Sequence, residues 1–155
     1  MMLVAINPSA AHALIRYIHI FISITFLLFS VWTITRSVIG LVKHKQYTGF
    51  DKFLSYGFII ALYAQLIFGL LLFTNFGPLS GNDLLGAESG ARIASKRLWP
   101  IEHIVMMFFA LLIATLGLIL ITKTEISREK FKKGLIYFVI SILIIAQSLC
   151  TIYLF

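Results

Sequence analysis

Four long apolar runs, about Leu14 to Thr35, Leu54 to Phe73, Leu98 to Ile121 and Leu135 to Phe155, constrain this chain more than any other feature in it. Each is long enough to cross ~30 Å of hydrocarbon at about 1.5 Å per residue. Their wealth of Ile, Phe and Val would suit strands. Runs of about twenty residues without a turn signal are too long for that, and backbone in lipid must satisfy its own hydrogen bonds. The runs therefore predict an all-α fold, an integral membrane four-helix bundle.

Composition agrees. Apolar residues make up 60% of the chain and charged residues 12%, with a mean hydropathy of +0.99; a soluble domain carries about 25% charged residues. A soluble fold is excluded. At 155 residues, a single domain of four spans uses most of the chain, because each span takes roughly 20 residues. The net charge of +7 does not point to nucleic acid, since the basic residues flank the apolar runs, where they set topology and meet lipid headgroups. Cys150 is the only cysteine, so neither an internal disulfide nor a cysteine metal site is expected. The segment before Ala11 lacks a basic signal-peptide start and reads as mature sequence.

Charge also orients the bundle. The first connection, Arg36 to Phe53, and the third, Thr122 to Gly134, hold nine of the thirteen basic residues. The N-terminal segment and the second connection share Arg16, Arg92, Lys96 and Arg97. The positive-inside rule places the first and third connections in the cytoplasm and both termini outside, in the periplasm of a bacterial host. The second connection, Thr74 to Arg97, is rich in Gly and Ser and reads as a longer outer loop, with a short interfacial helix around Leu84 to Ile93. Pro100 is expected in the first turn of the third helix, where its missing N–H matters little.

Ionisable groups inside apolar spans are expensive and mark candidate sites. His12, Arg16 and His19 recur at i, i+4 and i+7, on one face of the first helix. Glu102 and His103 open the third helix, which runs in the same direction as the first, so His12 or His19 can lie at the depth of His103. Gln65 and Gln147 add a polar group from each remaining helix in the same half of the bilayer. An imidazole from each of two helices across a bundle core is what b-type haem ligation requires, and His12 or His19 with His103 meets it. Arg16 and Arg97 or Lys96 at the rim suit the haem propionates.

Plainer roles stand beside these. His12 also fits an interfacial residue, and His19 a buried hydrogen-bonding histidine. Glu102 fits a helix-start residue or an ion-pair partner of Arg16. Gln65 and Gln147 fit interhelical hydrogen bonding. Met106 and Met107 are core filler, His44 is solvated, and Trp32, Trp99 and Tyr47 belong to the interfacial belt. No phosphate-binding loop, HExxH motif or row of intramembrane acids is present.

The pattern of His12, Arg16 and Tyr17, then Gln65 with Gly69, then Arg97, Glu102 and His103, resembles a group of small four-helix bacterial membrane proteins of the Bacteroidota described as cytochrome b-like. The resemblance is to the four-span chain as a whole and rests on these eight positions, in and beside the first three spans. The group often carries a histidine where this chain has Tyr63, and its first helix need not carry an equivalent of His19; if Tyr63 stands in for a ligand, the haem assignment requires His19 to take its place. The resemblance implies haem b and electron transfer. Three functions are therefore in view: a haem-b-binding inner-membrane protein exchanging electrons with a quinone or redox partner; a cofactor-free accessory subunit of a larger respiratory or secretion complex; and a quinone- or tetrapyrrole-handling membrane enzyme. In the first, His103 with His12 or His19 supplies the axial metal ligands, Arg16 and Arg97 hold the cofactor, and Glu102 orients His103 or handles a proton.

Overall fold

Helices account for nearly all of the described backbone: α1 (Pro8–Val42), α2 (Gly49–Phe76), α3 (Gly90–Thr122) and α4 (Ser127–Leu154), with no strand among the described residues. The computed structural model describes residues 8–76 and 90–154, and side chains at 11, 13–73 and 101–150. All four helices contain stretches long and apolar enough to cross a membrane: Ala13–Val42, Gly49–Phe73, Ile101–Thr122 and Ser127–Cys150.

The helices run further than hydropathy alone suggests. α1 continues to Val42 and α4 starts at Ser127, so the two basic connections shrink to residues 43–48 and 123–126. Lys and Arg fit terminal helical turns because their long stems let the charge reach the interface while the backbone stays helical. Gly90 to Ile93 belongs to α3; the rest of the expected interfacial helix lies outside the described residues. Pro100 consequently falls in the interior of α3, ten residues from its start, and not in its first turn.

Local chemistry ends and restarts the chain at the basic connections. α1 closes with Lys45 N–H donating to the Gly40 carbonyl at 3.0 Å, and His44 occupies the left-handed region at φ 49°, the geometry of a Schellman cap. α2 opens on a capping box. Asp51 accepts from the Thr48 backbone N–H at 2.9 Å and from its hydroxyl at 2.8 Å. Asp51 also takes a two-pronged contact from Arg36, Nε at 2.8 Å and a terminal guanidinium nitrogen at 3.1 Å, which staples α1 to α2.

Tyr47 links the two connections, its backbone N–H donating to Ser127 Oγ at 3.0 Å. Its hydroxyl lies within hydrogen-bond reach of Ser55 and the Asp51 carbonyl. Burial pushes the Tyr47 phenol up, so it stays protonated and able to donate. Because these connections meet, α1 and α3 both run toward this basic end, and α2 and α4 run away from it.

Packing follows the ring α1–α2–α3–α4–α1, leaving α1 and α3 on a diagonal. Aromatic residues fill the centre. Phe58 lies 5.0 Å from Phe26 and stacks on Phe138 at 4.6 Å between ring centroids, with Leu62, Met107, Leu111 and Ala114 around them. The outer surface is equally apolar, with Leu28, Trp32, Ile60 and Leu143 among its exposed residues, as lipid contact demands. Gly40 lies so close to the Phe131 ring that a β-carbon there would collide with it.

Candidate functional site

The end opposite the basic connections collects the polar groups. Counted from the basic end at about 1.5 Å per residue, His19, Gln65, His103 and Ser148 lie roughly 24–35 Å along their helices. One polar side chain from each helix thus reaches a common zone.

On α1 and α2 the site is a triad. Gln65 is 8% exposed, and its amide nitrogen sits 3.2 Å from His19 Nε2 while also donating to Ser23 Oγ. Ser23, one turn beyond His19, donates in turn to the His19 carbonyl at 2.8 Å. A β-carbon at Gly69, one turn beyond Gln65, would stand 3.4 Å from His19 Cε1, in ordinary van der Waals contact with the imidazole.

Two atoms of this triad are buried without a partner, His19 Nδ1 and Gln65 Oε1. With the Gln65 amide donating to Nε2, the ring proton sits on Nδ1, leaving one orphan donor and one orphan acceptor. Turning the amide over exchanges the two roles and removes neither. Buried groups normally find partners, so this pair marks a place that a ligand with both capacities, or a metal on the imidazole, would complete.

On α3 and α4, His103 is half-buried, and its Nδ1 lies 2.8 Å from Ser148 Oγ; Ser148 is itself 3% exposed. The two imidazoles stand on α1 and α3, the diagonal pair of the ring, with His19 bonded to Gln65 and His103 to Ser148.

The other candidates distribute as follows. Arg16 and Glu102 are exposed and form no ion pair with each other; the ion pair among the described residues is Arg36–Asp51. The side chains of His12 and Arg97 lie outside the described residues, although both positions are helical, on α1 and α3. Met107 is buried in the core and Met106 is partly covered. Gln147 is exposed on α4, and the neighbouring Ser148 makes the interhelical bond instead. No group of three or more His, Cys, Asp or Glu side chains gathers among the described residues.

Sequence reasoning overlooked Ser23, Ser148 and the Arg36–Asp51 staple. A hydroxyl at i+4 from His19 was the available signal for Ser23. For Ser148 no signal stood out, because a lone serine in an apolar helix usually bonds back to its own carbonyls, as Ser30 and Ser141 do here. Comparison with family models, curated proteins and solved structures gives no match to this chain.

Proposed function

We propose that the chain is a b-type haem-binding protein of the bacterial inner membrane, passing electrons to or from a quinone or a partner redox protein. His103 and His19 are the residues that would hold the haem. One observation carries the reading: two half-buried imidazoles stand on the co-directional diagonal helices, His19 bonded to Gln65 and His103 to Ser148. Haem b supplies a one-electron iron centre that accepts two neutral nitrogen ligands.

The chain's own residues fit that task. Were Ser148 to accept from His103 Nδ1–H, Nε2 of that ring would carry the lone pair a metal needs. A bond from the orphaned His19 Nδ1 would require the Gln65 carbonyl in place of its amide beside Nε2, with Ser23 turned from the His19 carbonyl to donate to it. The Phe-rich core excludes water below the ring. Arg16 is exposed near the same end and suits a propionate. By the positive-inside rule the basic connections are cytoplasmic, both termini are periplasmic, and the histidine site lies in the outer half of the bilayer. In this reading the cytochrome b-like resemblance reflects shared chemistry.

The test is spectroscopic. Protein purified from haem-sufficient cells is expected to show a Soret band and reduced α and β bands of a low-spin bis-imidazole species. His103→Ala and His19→Ala should each abolish the low-spin spectrum while circular dichroism stays helical. A colourless wild-type protein would overturn the assignment.

A second reading, a subunit of a larger membrane complex, draws on Gln147. Its amide lies exposed on α4, two turns from the helix end, and an amide facing hydrocarbon gains from a partner on another chain. Recovery of a colourless chain only within a large assembly favours this reading.

A further inference from the structure

The basic end holds a cleft distinct from the histidine site. It is lined by Tyr47, Lys52, Tyr56, Leu118, Thr122 and Lys130, where the first turns of α2 and α4 meet the last turns of α3. Its cavity volume is about 110 Å³, below the about 300–1,000 Å³ of clefts that enclose a whole small molecule, so it can seat only a small group whose remainder lies outside.

The lining is cationic and uncompensated. Lys130 Nζ lies 5.4 Å from the centroid of the Tyr47 ring, and Lys52 Nζ lies 5.9 Å from that of Tyr56. The rings hold the ammonium groups at the cleft without neutralising them. Among the described residues neither lysine has a carboxylate within ion-pair distance. The acid next to Lys52 in sequence, Asp51, is occupied by Arg36 and Thr48. The Tyr47 hydroxyl turns inward to Ser55 and the Thr122 hydroxyl donates to the Ile119 carbonyl, so the two ammonium groups are the charged donors that face the cleft. Leu118 and Ile121 add apolar surface to the same lining.

We propose that this cleft binds a phosphate-bearing group, that of an anionic phospholipid, with Lys52 and Lys130 as its two cationic contacts. The cleft sits where helices end, at headgroup depth for a chain that crosses a membrane, and its lining includes the apolar Leu118 and Ile121. Two ammonium donors with no internal acid match a phosphodiester in charge, and basic pockets between transmembrane helices take such headgroups. The inference does not depend on haem binding, and its test needs no cofactor.

Native mass spectrometry of the full chain, released from detergent micelles carrying equal amounts of phosphatidylglycerol and phosphatidylcholine, provides the test. Wild type is expected to retain phosphatidylglycerol in preference. Lys52→Ala/Lys130→Ala should weaken that retention about thirtyfold, roughly fivefold per lysine. Lys43→Ala/Lys45→Ala, which removes the same charge away from the cleft, should leave it within twofold of wild type on the expectation that distance and screening weaken the effect. A separate arm adds excess inorganic phosphate: failure to displace the lipid supports a lipid site, and displacement by phosphate alone overturns the lipid assignment in favour of free phosphate. Equal retention of the two lipids, or equal loss in the two double variants, overturns the proposal. Should the cleft variant fail to fold, Lys52→Gln and Lys130→Gln made singly replace it, each expected to weaken retention about fivefold, and no loss in either overturns the proposal.

Discussion

Gln65 of α2 places its amide nitrogen 3.2 Å from Nε2 of His19 on α1, and the same amide donates to Ser23. One buried side chain thus orients an imidazole and ties two helices together. Interhelical bonds in a membrane contribute about 0.6 kcal/mol on average and up to about 1.7. Gln65→Leu should therefore destabilise the bundle by about 1 kcal/mol, measured by reversible unfolding in mixed detergent micelles. The His19 ring should also lose its preferred tautomer, seen in imidazole nitrogen NMR shifts. An unchanged His19 spectrum would show that the amide does not set the ring.

Arg36 and Asp51 form a staple with unequal ends, since the carboxylate is 2% exposed and the guanidinium 25%. Arg36→Ala strands a buried acid that keeps only Thr48 as donor, with an expected loss of about 2 kcal/mol. Asp51→Ala leaves no buried charge, and Arg36 can turn toward water. The double variant should consequently be more stable than Arg36→Ala alone. Strictly additive losses in this double-mutant cycle would show that the pair is uncoupled.

Two glycines at the basic end should respond with opposite signs. A β-carbon at Gly40 meets the Phe131 ring, whereas at Gly49 nothing stands within 4 Å. Gly40→Ala is expected to cost about 1–3 kcal/mol through overpacking. Gly49→Ala, at the first residue of α2, should gain a few tenths to about 1 kcal/mol by restricting the unfolded chain. Thermal denaturation in detergent measures both, and the same sign at the two sites would contradict the packing described here.

His44 holds a backbone conformation that favours glycine, φ 49° at the end of α1. His44→Gly should raise stability by about 0.5–1 kcal/mol, because the cap's hydrogen bond from Lys45 to Gly40 no longer requires a side chain in the left-handed region. A fall in stability would mean that the imidazole makes a contact worth more than the strain it carries.

The architecture was legible before any coordinates. Uninterrupted apolar runs reveal helices because lipid offers backbone no other partner, and the four runs correspond to four helices. Their ends were harder to read. Arg36, Lys52 and Arg128 look like loop residues on a hydropathy scale, yet all lie on helices, because snorkelling stems keep charge at the interface and caps such as Thr48–Asp51 start a helix among polar residues. The Arg16–Glu102 pair does not form: both side chains are exposed, and Glu102, expected at the start of the third helix, lies twelve residues inside α3.

By itself the sequence determined that four helices form, that basic residues gather at one end, and that His19, Gln65 and His103 carry polarity into apolar spans. Composition and period dictate those properties through local physics and burial. Only the tertiary structure decided that Gln65 takes His19, that Ser148 and not Gln147 takes His103, and that Lys52 and Lys130 share one cleft. The reason is rotational: among helices apolar on nearly every face, the pattern does not say which stripe turns inward, and close packing of Phe58, Phe138 and the glycines settles it.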